Sequence, residues 1–113
     1  MPGNNGSKGR AGESRAAQFL EAAGMSVVTR NLRLPGGEVD IVCREGETIV
    51  FIEVKARSGR RFGSAVSAVD ARKRRTLRRL AADWVQIVAP NARVRFDVVA
   101  VEGDRMTLYR NAF

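Results

Sequence analysis

The sequence predicts an α/β protein, a mixed β-sheet with helices packed on its faces. Three observations lead there. Arg10–Ala23 and a longer run ending near Val88 repeat apolar residues at helical spacing. Five short runs rich in strand-forming residues lie between and after these two helices. One of those runs is apolar at both parities from Ile49 to Ile52, the pattern of a central strand covered on both sides. A chain of 113 residues makes one domain, and 44% hydrophobic residues supply a core without disulfide staples.

The elements follow in order. Met1 to about Lys8 is polar and glycine-rich, so residues 1–9 are expected to be a flexible tail and residues 10–113 a single domain. In the first helix Ala16, Ala17, Leu20 and Ala23 share a face, and Gly24 stops it. Ser26–Leu34 and Glu38–Cys43 read as strands joined by the Pro35-Gly36-Gly37 turn. A turn around Gly46 leads into Thr48–Ala56, the third strand, and Ser58–Gly63 is a basic loop. The second helix can be capped by Ser64, Ser67 or Asp70, and its apolar stripe is Leu77, Leu80, Ala81, Trp84 and Val88. Lys73 continues that stripe toward the sheet. Pro90 ends the helix, and Arg93–Val101 and Met106–Tyr109 form a closing hairpin around Gly103.

Composition narrows the chemistry. The chain has no histidine and one cysteine, Cys43, which excludes histidine general bases, Ser-His-Asp triads and the usual zinc sites. A metal site would be built from oxygen ligands and would suit magnesium or manganese. The N-terminus lacks the apolar core of a signal peptide and no run reaches membrane-spanning length, so the expectation is a cytoplasmic protein without membrane insertion. The net charge of +8 is concentrated: Arg57–Arg79 holds nine basic residues and one acid, while the remainder holds eleven of each. Such a segment fits a polyanion, and nucleic acid is the commonest one.

Two acids stand where strands disfavour them. Asp40 lies between Val39 and Ile41, and Glu53 ends the apolar run of the third strand. The short turn at Gly46 makes these strands a hairpin, so Asp40 and Glu53 can be neighbours. Two close carboxylates repel, and a divalent cation would keep both ionised. Lys55, on the same side of the strand as Glu53, can orient a water near that cation. These parts suffice to hydrolyse a phosphodiester. A structural Glu–Lys pair at the strand end remains the plainer alternative. Glu13 projects from the apolar face of the first helix, where it could equally be a first-turn acid that complements the helix dipole. Asp97 reads as structural and arginine-paired, and Cys43 and Trp84 as core.

The segments GGEVDIV, VFIEVKAR, FGSAVSAVDARKRRTL and VRFDVVAV resemble the YraN-like bacterial family, within the PD-(D/E)XK, restriction-endonuclease-like superfamily and near archaeal Holliday junction resolvases. The resemblance implies an αβββαβ core. It also implies Asp40, Glu53 and Glu13 at the metal, with the Val54 carbonyl as a further ligand, Lys55 as the catalytic lysine, and Lys73 as a helical base aimed at the site. Val39 stands where the superfamily name has proline, a departure shared by resolvase-like members. Glu38 matches the pattern without an assigned role. The expected activity is a Mg- or Mn-dependent endonuclease acting on DNA, with Arg57, Arg60 and Arg61 of the loop and Lys73, Arg74, Arg75, Arg78 and Arg79 of the helix gripping phosphates. Cutting both strands of a junction would favour a symmetric homodimer. The alternative is a catalytically silent module that binds nucleic acid or a protein partner through the same fold.

Overall fold

The computed structural model describes residues 3–56 and 69–113, with side chains described for residue 12 and from residue 14 onward within those ranges. Helix α1 (Gly3–Ala22) leads into strands β1 (Ser26–Leu34), β2 (Gly37–Glu45) and β3 (Thr48–Ala56). Helix α2 (Ala71–Val88) precedes β4 (Arg93–Glu102) and β5 (Arg105–Tyr109). The five strands form one sheet in the order β1-β2-β3-β4-β5. Its neighbours pair antiparallel except β3 and β4, which run parallel. A parallel pair needs a crossover connection, and the segment carrying α2 supplies it. The chain is thus α/β with an αβββαβ core.

The helix ends follow local chemistry. Gly24 adopts φ +100° and donates to Glu21, while Met25 donates to Leu20, so the last carbonyls of α1 are satisfied by a Schellman turn. Asp70 caps α2, accepting a bond from the Lys73 backbone N–H at 2.9 Å. The alternative caps, Ser64 and Ser67, lie outside the described residues.

The core has two sides. Ala16, Leu20 and Met25 pack with Ile41, Cys43, Val50, Ile52 and Val99 on one face of the sheet. Leu77, Ala81 and Val85 of α2 pack with Val42, Phe51 and Val98 on the other. β3 alternates between them, as a doubly covered strand must. Phe51 anchors the α2 side, edge-on to Trp84 with centroids 5.9 Å apart and stacked on Phe96 at 5.7 Å. Burial of each such large apolar side chain stabilises by roughly 1.5–3 kcal/mol.

Both helices differ from the sequence reading in one respect. α1 begins at Gly3 rather than Arg10. Three glycines, at about 1 kcal/mol of helix propensity each, made the earlier turns look improbable as helix. α2 ends at Val88 as expected, but Val88 does not continue its apolar stripe: it is 53% exposed, and Val85 is buried instead. From Leu77 the buried face advances in steps of four, to Ala81 and Val85, and Val88 drifts away from the sheet. Asp97 is structural as expected. It is wholly buried, takes two bonds from Arg95 at 2.9 Å each, and accepts the Asn111 N–H at 2.8 Å. Arg95 also bonds Glu45 at 2.7 Å, and Arg110 pairs with Glu45 at 3.2 Å. The Arg95 proton is held more tightly than usual, first by Asp97. No helix among the described residues is long and apolar enough to cross a membrane.

Candidate active site

The ladder between β2 and β3 ends at Ile41↔Ile52, so the next pair in that register would set Asp40 opposite Glu53. The strands part there. The Val54 N–H, which a backbone carbonyl would otherwise accept, bonds Asp40 Oδ2 at 2.9 Å. Val39 packs with the α2 side while Ile41, two residues on, packs with the α1 side, so β2 turns about its own axis at Asp40. β3 stays paired to β4 through Ala56↔Val101. Its end is therefore held on one edge and open on the other.

Glu53 lies in that opening and is 3% exposed. Its Oε1 is 3.4 Å from Lys73 Nζ, and its Oε2 is buried with no hydrogen-bond partner among the described residues. Burial, and after it the charge of Asp40, pushes the Glu53 carboxyl up to about 7, against the opposing pull of Lys73 and Lys55. Asp40, Glu53, Lys55 and Lys73 are therefore within electrostatic reach of one another. Asp40 and Lys55 are half-buried. Lys73 reaches Glu53 because Asp70 starts α2 three residues earlier, above the α2 face of the sheet.

An unpartnered carboxylate oxygen in the interior is expensive, and a second carboxylate nearby makes it more so. A hard divalent cation fits such a donor set. Among the described residues no three of His, Cys, Asp and Glu form a cluster that could hold a metal. Asp40 and Glu53 supply two carboxylates. Further ligation would fall to the Val54 carbonyl and to Glu13, which lies in α1 but whose side chain is outside the described residues.

The predicted phosphate contacts divide. Arg57, Arg60 and Arg61 lie outside the described residues. Lys73 belongs to the carboxylate site. Arg74 bonds the Val69 carbonyl at 2.7 Å and lies 5.4 Å over Phe113. Arg78 lies over Phe96 and Phe113 at 6.0 and 5.9 Å. Arg75 and Arg79 are exposed and, with Arg72 and Thr76, line a shallow cleft of about 240 Å³. The sequence reading missed Arg72, although its spacing from Arg75 and Arg79 places all three on one helical face. Basic residues in a first turn oppose the helix dipole. The first turn of α2 nevertheless holds none of the acids that would complement it. Glu38 makes an exposed pair with Arg33 at 3.6 Å, which contributes little.

Fold and site together define an α/β protein with an αβββαβ core and an acid pair at the parted ends of two central strands. The chain belongs to the uncharacterised protein family UPF0102, whose family model matches residues 12–101. A UPF0102 protein of Burkholderia pseudomallei (strain 1710b) is 48% identical over 118 residues, spanning all of this chain and 81% of the relative. UPF0102 proteins of Dechloromonas aromatica (strain RCB) and Shewanella loihica (strain ATCC BAA-1088 / PV-4) are each 42% identical, spanning 94% of this chain and 88% and 93% of their own lengths. The family match contains Asp40, Glu53, Lys55 and Lys73.

Proposed function

We propose that this protein is a Mg- or Mn-dependent endonuclease that binds and hydrolyses nucleic acid, with DNA as the substrate. The observation that carries the reading is the buried Oε2 of Glu53, without a hydrogen-bond partner among the described residues and near the carboxylate of Asp40. Asp40 and Glu53 would hold the cation, with the Val54 carbonyl and Glu13 as further ligands. When bound, the cation supplies charge stabilisation at the scissile phosphate and an acidified water. Lys55 orients the attacking water and donates to a phosphate oxygen. Lys73 pairs with Glu53 at 3.4 Å and would be available to a phosphate oxygen were a cation to neutralise that carboxylate instead. The cytoplasm is the compartment such an enzyme would occupy, and a homodimer the assembly that would cut both strands of a junction.

A second reading, a binding module without hydrolysis, draws on the fact that no third His, Cys, Asp or Glu joins Asp40 and Glu53 among the described residues. One experiment separates the two. Plasmid, flap and four-way-junction DNA are incubated with manganese, using Lys55→Ala as control. Cleavage by the wild type that is lost in Lys55→Ala with DNA affinity retained supports the enzyme. Manganese-independent binding with every substrate intact refutes it.

A further inference from the structure

We infer that one face of α2, formed by Arg72, Arg75 and Arg79, is the track along which a nucleic-acid backbone reaches the carboxylate site, and that Arg74 and Arg78 serve the fold instead. The inference rests on the nucleic-acid reading above and assigns phosphate binding to particular side chains.

The three track arginines are exposed and line one concave surface with Thr76. Their spacing of three and four residues stacks them along about 10 Å of helix. No carboxylate lines the cleft, and among the described residues none of the three forms an ion pair. The cleft is shallow and open, suited to a chain lying across it. Guanidinium groups match phosphate oxygens in bidentate fashion.

The track has two defined ends. Arg72 adjoins Lys73, which reaches Glu53 at 3.4 Å. Arg79 lies against the β1–β2 turn at Gly36, where φ is +96° and an added Cβ would run into the guanidinium. Beside it, a Cβ at Gly37 would come within 2.9 Å of Leu80 Cδ1 and 3.2 Å of Thr76 Cγ2. The two glycines thus let the turn lie close against α2, so that the turn abuts the Arg79 end of the arginine row. A bound strand would pass from the turn toward the parted ends of β2 and β3.

The other two arginines face elsewhere. The Arg74 and Arg78 guanidiniums lie on the ring of Phe113, and Arg78 also lies over Phe96. Phe113 itself stacks on Phe96 at 5.2 Å, and the Ala112 N–H bonds the Phe96 carbonyl at 2.7 Å. These cations lock the last residues onto the sheet.

The test compares two variants of the full chain, Arg72→Ser/Arg75→Ser/Arg79→Ser and Arg74→Ser/Arg78→Ser. Anisotropy of a fluorescent 20-base-pair duplex is read in EDTA across a salt series, so cleavage plays no part. The triple variant should lose on the order of a hundred-fold in affinity at 0.1 M salt. Its slope of log affinity against log salt should flatten by roughly 0.9 for each phosphate left unneutralised, approaching ~2.7 when all three arginines are gone. The double variant should flatten the slope by less than the equivalent of one phosphate, under about 0.9, and lower Tm instead. Equal slopes in the triple variant and wild type, or a larger slope change in the double variant, overturn the inference. So does wild-type binding to polyglutamate but not to duplex, which would give the cleft to an acidic protein partner. The outcome is independent of catalysis: intact plasmid in manganese with the predicted slopes defeats the nuclease and leaves the track standing. Cleavage with unchanged slopes does the reverse.

Discussion

Replacing Glu53 by glutamine should make the metal-free protein more stable at alkaline pH. Glu53 is buried at 3% exposure, with one oxygen facing Lys73 and the other without a hydrogen-bond partner among the described residues. Its carboxyl is pushed from the ordinary 4.5 up to about 7, chiefly by burial and then by Asp40. The folded state thus keeps this proton over a range in which the unfolded chain has lost it. Its contribution to stability is complete below 4.5, declines as pH rises toward about 7, and is constant beyond. About two and a half decades of proton affinity, at ~1.4 kcal/mol each, set a ceiling of roughly 3 kcal/mol. Glutamine keeps the shape and does not ionise. The opposing pull of Lys73 is already contained in that value. Urea denaturation in EDTA should therefore show the variant close to wild type at pH 4.5 and roughly 2–3 kcal/mol more stable at pH 8. Added Mg²⁺ should stabilise wild type alone, by mass action, and narrow the gap. A variant less stable than wild type at pH 8 in EDTA would refute the reasoning and make Glu53 an ordinary ion-pair partner.

Other outcomes follow from the same side chains. Lys73→Met removes the ammonium that competes for Glu53, so calorimetry should show manganese binding tighter by on the order of tenfold, and unchanged or weaker binding would refute that competition. Asp40→Ala should abolish most of that binding, which the same titration reads directly. Asp97→Ala strands the buried Arg95 network and should cost about 3–5 kcal/mol in urea denaturation, whereas a loss under about 1 kcal/mol would show that Glu45 alone satisfies Arg95.

Much of this was legible in the chain because the signals were local. Asp40 and Glu53 stood out as acids in apolar strand runs, and the tight turn at Gly46 put them across from each other. Asp97 read correctly because a buried acid needs a partner, yet Glu45 and Arg110 did not suggest themselves, since tertiary packing brings them together across three strands. The Val54 N–H on Asp40 was equally invisible: a strand pattern shows alternation and not where a ladder stops. The arginines of α2 formed one basic block in sequence. Helical spacing sets Arg72, Arg75 and Arg79 on one face, but the part that Arg74 and Arg78 play depends on the placement of Phe113, far along the chain.

The two-sided core also gives the molecule a pair of natural reporters. Its only tryptophan, Trp84, packs against the α2 layer, and its only cysteine, Cys43, is buried in the α1 layer, where burial and then the charge of Asp97 push the thiol up to about 12. Indole fluorescence therefore watches one helix leave the sheet, and thiol labelling watches the other. Run side by side through a denaturant series, the two signals reveal whether the layers open as a single cooperative unit or peel away in sequence, without any foreign probe.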